Sequence, residues 1–253
     1  MSGRAEASFL SAIASYLRAY HRHEVVVDAM PLTQPALFVA NHGFGGVVDL
    51  NALALRTALD QFRGERHVTY LVHQLAWTVG LGGVVEALGG RQGSVESLQE
   101  AFAAGNHVAV FPGGDIDASK ATKHRNRITF SGRSGFARMA IEHGVDVVPV
   151  VTAGAGESLY VLTDGQRLAK ALRLPELLRV KALPVSLSFP WGLSVGVAGM
   201  LPYAPLPTKL VTAVLPPMRA HDGESAADFA ERVEAAMQAR LDQLTENRLP
   251  ILG

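Results

Sequence analysis

Cysteine is absent from the 253-residue sequence, and so is any net formal charge. Without cysteine the chain cannot form disulfides, hold a metal through thiolates or use a thiol nucleophile, and a reducing compartment is compatible with this composition. The 23 Lys and Arg residues balance 23 Asp and Glu residues, so bulk electrostatics do not indicate a nucleic-acid partner. Any binding partner must therefore be inferred from local patterns.

Long apolar runs are also missing. No stretch offers the roughly 20 uninterrupted apolar residues that a bilayer span requires, and the amino terminus lacks the apolar centre of a secretion signal. The chain is therefore expected to be soluble or attached to a membrane surface. Hydrophobic residues make up 48% of the sequence, which is ample for a substantial core, and no linker or repeat divides the chain. These features predict one domain.

Residues 1–24 predict an amphipathic helix. Its apolar side carries, at helical spacing, Phe9, Ile13, Tyr16, Leu17 and Tyr20. Such a face can dock on the protein's own core or lie on a membrane, and the pattern alone favours docking. His21, His23 and Glu24 could bind a metal only with partners that the sequence does not indicate, so a solvated helix end is the expectation.

Short apolar runs alternate with helical patterns between residues 36 and 151. The runs typical of buried strands are 36–40, 67–72, 107–112 and 145–151. Helical periodicity occupies 49–62, 94–104 and 132–143. This alternation predicts a single α/β domain in which helices cover a mixed, mostly parallel sheet.

The last third of the chain is rich in proline. Between residues 183 and 217 proline recurs too often for helices, so loops and edge strands are expected there. Residues 222–246 predict a closing helix that begins with a capping box formed by Ser225 and Asp228. The buried stripe expected on this helix is Phe229, Val233, Met237, Leu241 and Leu244.

His42 lies between a predicted strand and the predicted helix that follows it, which is the usual location of catalytic residues in α/β folds. Gly43, Gly45 and Gly46 allow a sharp turn, after which Asp49 could fold back onto the imidazole. An aspartate that accepts a hydrogen bond from one ring N–H fixes the tautomer and leaves the other ring nitrogen free as a base. Alternatively, Asp49 caps the helix and His42 is only a turn residue. This segment alone leaves both interpretations open.

Four ordered motifs resemble the glycerolipid acyltransferase superfamily. "NHGFGGVVD" at 41–49 resembles its first motif, and "FPGGDID" at 111–117 resembles its third motif in the Pro-Gly-Gly form of the mono- and diacylglycerol acyltransferase-like branch. Residues 132–151 resemble the following helix and strand with the fourth motif, and 183–210 resemble the proline-rich terminal section of bacterial members. The resemblance spans residues 36–217, and four motifs in order are far more specific than one.

The resemblance implies an acyltransferase-like fold and an O-acyltransferase that moves a fatty acyl group from acyl-CoA or acyl-ACP to a lipid hydroxyl. His42 would be the general base and Asp49 the residue that orients it. Substrate contacts are expected at Arg91, Gly113, Gly114, Asp115, Arg125 and Arg133, with the two glycine N–H groups as donors to an oxyanion. No metal and no cofactor is expected beyond the acyl donor, and the enzyme would attach peripherally to the cytoplasmic face of the membrane.

The chain departs from the family pattern at two places. Six residues separate His42 from Asp49, whereas most of the superfamily has four. The third motif has Gly113 and Gly114 where Glu-Gly is usual, and Asp115 where a hydroxyl residue is usual. These changes permit an alternative, a lipid-binding module that has lost the chemistry. A glycerol-phosphate or lysophosphatidate acyltransferase is the other alternative, with Arg91 as the phosphate partner.

Two further patterns in the sequence bear on function. Residues 118–141 contain no acid but several basic residues, which could meet coenzyme A phosphates or anionic head groups, or could simply be solvated. "GLSVG" at 192–196 fits the nucleophile elbow of a serine hydrolase, but prolines surround it, and no acid lies between Ser194 and His221, the one histidine that follows. A serine hydrolase is therefore disfavoured. The basic residues of the acid-free segment 118–141 are Lys120, Lys123, Arg125, Arg127, Arg133 and Arg138.

Overall fold

A computed structural model describes residues 3–28, 32–44, 49–62, 64–72, 77, 80, 82–87, 89–173, 182–196, 198 and 203–253. Gly45 and Gly46, to which the sequence assigns part of the turn after His42, lie outside these ranges. The side chain of Asp115 is likewise outside the described part of the structure, although its backbone is within a helix.

A seven-stranded sheet forms the centre of the structure, in the order β1-β10-β6-β2-β5-β3-β4. Strands β6, β2, β5, β3 and β4 are parallel to one another. Strand β10 is antiparallel to β6, and β1 is parallel to β10. The predicted mixed, mostly parallel α/β sheet is confirmed. Its strands are β1 (Glu24–Val27), β2 (Ala36–Ala40), β3 (Val68–Val72), β4 (Gly90–Gln92), β5 (His107–Val110), β6 (Asp146–Ala153) and β10 (Val211–Val214).

Helices cover both faces of this sheet. Alternate residues of β2 show the two layers, because Leu37 and Val39 belong to one core cluster and Phe38 to the other. Burial on both faces explains why the parallel strands read as continuous apolar runs. The helices are α1 (Gly3–His21), α2 (Leu50–Phe62), α3 (Gly82–Ala87), α4 (Val95–Ala103), α5 (Gly114–Ala118), α6 (Gly135–His143), α7 (Gln166–Ala171) and α8 (Ala226–Thr245).

Helix α2 supplies one covering layer, and helices α4, α6 and α8 contribute to the other. The capping box of α8 is present, since the Ser225 hydroxyl accepts the Asp228 N–H at 3.1 Å. The predicted stripe of α8 faces the core: four of its members are buried and Leu244 is partly buried. No helix in the described ranges is both long and apolar enough to cross a bilayer.

The proline-rich region differs from its prediction in one respect. Residues 211–214 form β10, which lies inside the large sheet between β1 and β6 rather than at an edge. The physical reason is that the run from Leu210 to Leu215 contains no proline, so its N–H groups are free to join the ladder. Elsewhere in the region two strands, β8 (Val185–Ser188) and β9 (Gly192–Val195), join β7 (Tyr160–Thr163) in a second, antiparallel sheet of three strands.

Helix α1 docks on the domain through Leu17, which packs with Leu50 and Leu210. The expectation of a solvated helix end is wrong, because His21 and His23 are both buried. His21 Nδ1 lies 3.0 Å from the Thr208 carbonyl, and burial lowers the pKa of His23 to about 4. Both imidazoles are therefore structural parts of the junction between α1 and the sheet.

Candidate active site

Asn41 fixes the start of the loop that follows β2. Its carboxamide donates to the Thr152 carbonyl at 3.1 Å and accepts the Thr152 N–H at 2.9 Å. The side chain thereby continues the hydrogen-bond pattern between β2 and β6 by one residue. Asn51 of α2 donates to the Asn41 carbonyl at 2.6 Å. These buried bonds tie the strand end to the following helix. No pattern in the sequence marks Asn51 for this role.

His42 and Asp49 are paired. His42 Nδ1 and Asp49 Oδ2 are 2.8 Å apart, and the two side chains are 18% and 13% exposed. A spacing of six residues therefore allows the contact that the sequence suggested. Asp49 therefore engages the imidazole through Nδ1, and none of the described residues has a hydrogen bond to Nε2.

Asp49 also caps α2, with its other oxygen. Oδ1 accepts the Asn51 N–H at 2.8 Å, while the Asp49 carbonyl accepts the Leu53 N–H at 3.1 Å. The two interpretations that the sequence left open are thus not exclusive, since one carboxylate caps the helix and holds the imidazole at once. The cap fixes the carboxylate, and the fixed carboxylate orients the ring of His42.

Gly43 is required by close packing rather than by an unusual backbone angle. A Cβ placed on Gly43 would lie 2.8 Å from Asn51 Oδ1 and 2.9 Å from the Ala155 Cβ, distances that real side chains do not adopt. The loop carrying His42 is therefore pressed against α2 and against the turn after β6. A larger residue here would push His42 away from its partners.

Asp117 of α5 holds the backbone of His42. Its Oδ2 accepts the His42 N–H at 2.9 Å, its Oδ1 pairs with Lys120 Nζ at 2.7 Å, and the carboxylate is buried. Lys120 also donates to the Arg127 carbonyl at 2.9 Å. The residues around Asp117 in the chain do not predict its contact with His42. Its position in "FPGGDID" is the signal that could have linked the third motif to the first.

Gly113 and Phe111 shape the same contact from the loop after β5. A Cβ on Gly113 would lie 2.3 Å from the Asp117 Cβ and 2.8 Å from the Thr129 carbonyl, so only glycine fits. The ring of Phe111 lies 4.7 Å from the His42 ring, centroid to centroid, at an angle of 31°. Phe111 thus covers one side of the imidazole and limits its rotation.

The predicted oxyanion donors lie next to this contact. Gly114 adopts a φ of 53° and its N–H points to the Phe111 carbonyl across 3.3 Å, longer than an ordinary hydrogen bond. Arg133 donates to the carbonyls of Pro112 and Gly113. Arg133 therefore stabilises the turn through these two backbone carbonyls. The side chain of Asp115, predicted to contact substrate, is not described.

Arg125 lies next to a buried acid. Its Nε is 3.9 Å from Glu157 Oε1, and its Nη1 donates to the Thr122 carbonyl at 3.1 Å. Arg248 holds the same carboxylate at 2.8 Å and 3.0 Å. Burial pushes the pKa of Glu157 up, but bonds from Arg248, Ile251 and Thr208 outweigh it, so the pKa lies below its usual value. The carboxylate is ionised and draws Arg125 towards it.

Arg91 is not brought to the His42 site. It belongs to β4, the strand at one edge of the large sheet, and its side chain is exposed. Three inter-strand spacings of about 4.8 Å place β4 roughly 14 Å across the sheet from β2. A contact between Arg91 and a group bound at His42 would require a long substrate.

Tyr203 packs against Phe44, which follows His42 by two residues in the chain. Their rings pack edge to face at 6.3 Å, in a cluster with Leu159 and Val161. Burial, and to a smaller extent the nearby charge of Asp49, raises the pKa of Tyr203 to about 12. Tyr203 is therefore a neutral phenol next to the acid of the pair. No pattern in the sequence predicts this position of Tyr203.

Competing chemistries find no support in the described ranges. Ser194 is buried on the inner face of the three-stranded sheet, in the last strand of that sheet, which is not the geometry of a nucleophile elbow. Among the described residues, no group of three or more His, Asp or Glu side chains could hold a metal ion.

A groove of about 830 Å³ lies between residues 127–134 and α8, and it is separate from the His42–Asp49 pair. Two hydrogen bonds hold its walls together: Gln238 Oε1 accepts the Ile128 N–H at 2.8 Å, and Glu234 Oε2 accepts the Phe130 N–H at 2.9 Å. The pair itself lies at the carboxyl end of β2, and the chemistry is expected there.

The chain is similar to several known proteins. A family model described as diacylglycerol acyltransferase matches residues 11–246. The chain is 30% identical to an uncharacterized protein of Mycobacterium leprae over 77% of this chain and 50% of that protein. It is 26% identical to the Gallus gallus protein named DGAT1/2-independent enzyme synthesizing storage lipids, over 74% of this chain and 54% of that protein. The chain thus spans about half the length of these relatives.

One solved structure matches over nearly the whole chain. It is the crystal structure of the 1-acyl-sn-glycerophosphate acyltransferase PlsC from Thermotoga maritima, with a TM-score of 0.54 and 18% sequence identity. The alignment covers 98% of this chain and 85% of that one. At this identity the likeness concerns the fold.

Proposed function

The chain belongs to the diacylglycerol acyltransferase family, and from that premise we propose that it is an O-acyltransferase using acyl-CoA or acyl-ACP and a lipid hydroxyl. The observation that carries the proposal is the 2.8 Å contact between His42 and Asp49 inside a matched first motif. A base oriented in this way is what transfer of an acyl group to a hydroxyl needs, because an alcohol is a poor nucleophile until its proton is removed.

The proposed reaction uses no covalent enzyme intermediate. His42 Nε2 takes the proton of the acceptor hydroxyl while the oxygen attacks the thioester carbonyl carbon, and Asp49 stabilises the resulting imidazolium. Collapse of the tetrahedral intermediate breaks the C–S bond, and the imidazolium returns the proton to the departing thiolate. The products are the ester and the free thiol, and His42 is neutral again.

The oxyanion of the intermediate needs donors. We keep the N–H groups of Gly113 and Gly114 in this role, since the Gly114 N–H is only weakly engaged at 3.3 Å from the Phe111 carbonyl. Arg133 supports the role indirectly, because it binds the carbonyls on the opposite side of the turn. Lipid substrates also place the enzyme at a membrane, and peripheral attachment to the cytoplasmic face is part of the proposal.

Incubation with labelled acyl-CoA and a panel of lipid alcohols, followed by mass analysis of the lipids, tests the proposed activity. An ester product that grows linearly with enzyme, accompanied by an equal amount of free thiol, is the expected result. Acyl-ACP is run in parallel to identify the donor. Binding of lipid with no thioester turnover for either donor would instead identify a lipid-binding module that has kept the fold.

The surroundings of His42 favour an uncharged acceptor. A phosphate dianion in a partly desolvated pocket needs paired positive charge. The nearby cations already have partners within the chain: Lys120 is held by Asp117, and Arg125 approaches Glu157. Arg133 is directed at backbone carbonyls, and Arg91 is on the far edge strand.

A mono- or diacylglycerol, or a long-chain alcohol, is therefore expected to be a better acceptor than glycerol 3-phosphate or lysophosphatidic acid. The measurement is kcat/KM for each acceptor on one enzyme preparation at fixed donor concentration. We expect the uncharged acceptors to be preferred by about tenfold or more, the scale of one unpaired charge interaction. A preference for lysophosphatidic acid that Arg91→Ala abolishes would overturn this assignment and restore Arg91 as a phosphate ligand.

A further inference from the structure

The three-stranded sheet exposes an unusually apolar surface. Six large side chains on its outer side and at the β8–β9 turn are about half exposed or more; we call them the hairpin face. They are Tyr160 (53%), Leu187 (53%), Phe189 (75%), Trp191 (50%), Leu193 (65%) and Val195 (46%). A contiguous exposed apolar patch on a folded domain marks an interaction site.

Strand register shows that this exposure is one-sided. Tyr160 pairs with Leu187, and Leu187 pairs with Leu193, so these three side chains form a row across the outer face. The neighbouring row, Val161, Ser186 and Ser194, is buried. In a sheet with one solvated face the usual pattern is apolar inside and polar outside. Here two of the three inward residues are serines and the outer row is apolar.

Basic residues stand at one end of the hairpin face. Helix α7 begins just after β7, and the Asp164 carbonyl before it accepts the Leu183 N–H at the entry to β8. Leu168 and Leu172 are exposed there, beside the exposed Arg167, Lys170 and Arg173. An apolar surface with an aromatic tip and adjacent cations matches the interface of an anionic bilayer, where aromatic rings sit at head-group depth.

The inner side of the same sheet leads to the active site. Val161 packs with Phe44, Leu159 and Tyr203, and Phe44 lies two residues after His42. Insertion of the outer side into a lipid surface would therefore hold the His42 loop close to that surface.

We propose that the hairpin face inserts into the interfacial layer of an anionic membrane, with the basic residues of α7 contacting the lipid head groups. This proposal rests on the proposed function, because it names the surface through which the acyltransferase contacts its lipid substrate. It commits to a lipid surface rather than to a second copy of the chain, since the charged residues of α7, Arg167 and Lys170, are both basic and exposed.

The first test follows Trp191 on lipid vesicles. The Trp77→Phe variant of the full chain leaves Trp191 as its single tryptophan. With vesicles of phosphatidylcholine and phosphatidylglycerol, the Trp191 emission is expected to shift to shorter wavelength and to be quenched by lipids brominated near the head of the acyl chain. No shift and no quenching, with the vesicles demonstrably bound, would place Trp191 outside the membrane and overturn the proposal.

The second test is vesicle flotation of paired variants. Phe189→Ser/Leu193→Ser should lower the fraction bound by about tenfold, because it removes two large side chains from the buried contact. Leu249→Ser/Leu252→Ser is the matched control, since those leucines are 61% and 64% exposed but lie at the carboxyl terminus. Arg167→Gln/Lys170→Gln should reduce binding to anionic vesicles and leave weak binding to pure phosphatidylcholine unchanged.

Two outcomes would contradict the assignment. Equal flotation of the hairpin variant and the control variant would mean that another surface binds the membrane. A concentration-dependent dimer that the hairpin variant abolishes, without vesicle binding, would identify a second copy as the occupant. Activity on a detergent-dispersed acceptor distinguishes the membrane proposal from the proposed acyl transfer. The hairpin variant should keep this activity. Loss of vesicle binding in a variant that is still active would therefore not contradict acyl transfer.

Discussion

Alanine in place of His42 is expected to lower the rate of acyl transfer by about 10² to 10⁴ without unfolding the protein. The substitution removes the base but leaves the loop anchored, because the N–H of residue 42 still reaches Asp117 and Asn41 still pairs with Thr152. The measurement is kcat with the acceptor identified in the panel. Thermal unfolding of the same preparation is the control. Near wild-type turnover would rule out His42 as the base.

The partner of the imidazole can be tested in the same assay. Asp49→Asn replaces one carboxylate oxygen with an NH₂ group, so it cannot both cap α2 and accept a proton from His42 Nδ1. If the amide donates to Nδ1, the proton moves to Nε2 and the base is lost. A loss of similar order to that of His42→Ala is expected, about 10²-fold or more, with a small change in stability.

Much of the fold could be predicted because its strands are buried on both faces. The predicted run 36–40 has the same bounds as β2, and the run 107–112 contains β5, since uninterrupted apolar residues between turn signals leave few alternatives to a buried strand. The family resemblance drawn from the ordered motifs is confirmed by the match over residues 11–246. Strands such as β4, with the sequence Gly-Arg-Gln, are too short and too polar to show a pattern.

The candidate site was less accessible to sequence reasoning. Periodicity predicted that His42 and Asp49 flank a strand-to-helix turn, but it could not give the path of the six residues between them. Their contact depends on the bond from Asn51 to the Asn41 carbonyl and on the close packing of Gly43 against Ala155, and both join residues that are distant in the chain. Asp117 is sixty-eight residues beyond Asp49 in the chain, and only the parallel pairing of β2 with β5 brings its loop to His42.

Asp117 is expected to matter for the rate although it does not touch the substrate in the proposed reaction. Asp117→Ala removes the acceptor of the His42 N–H and leaves the Lys120 ammonium, only 10% exposed, without its carboxylate. A small displacement of a catalytic group can cost about 10²-fold, so kcat should fall by about 10- to 10²-fold while KM changes little. The steady-state parameters of the variant are the measurement.

A second pair of variants distinguishes positioning of His42 from general support of the fold. Asp117→Asn keeps an oxygen that can accept the His42 N–H, so part of kcat should return. Asp117→Ala/Lys120→Met removes the stranded charge, so its unfolding temperature should rise above that of Asp117→Ala, because an unpaired buried cation is costly. Its kcat should remain low, since the His42 N–H still has no acceptor. Recovery of kcat together with stability in the double variant would show that Asp117 only neutralises Lys120, and the positioning role would be abandoned.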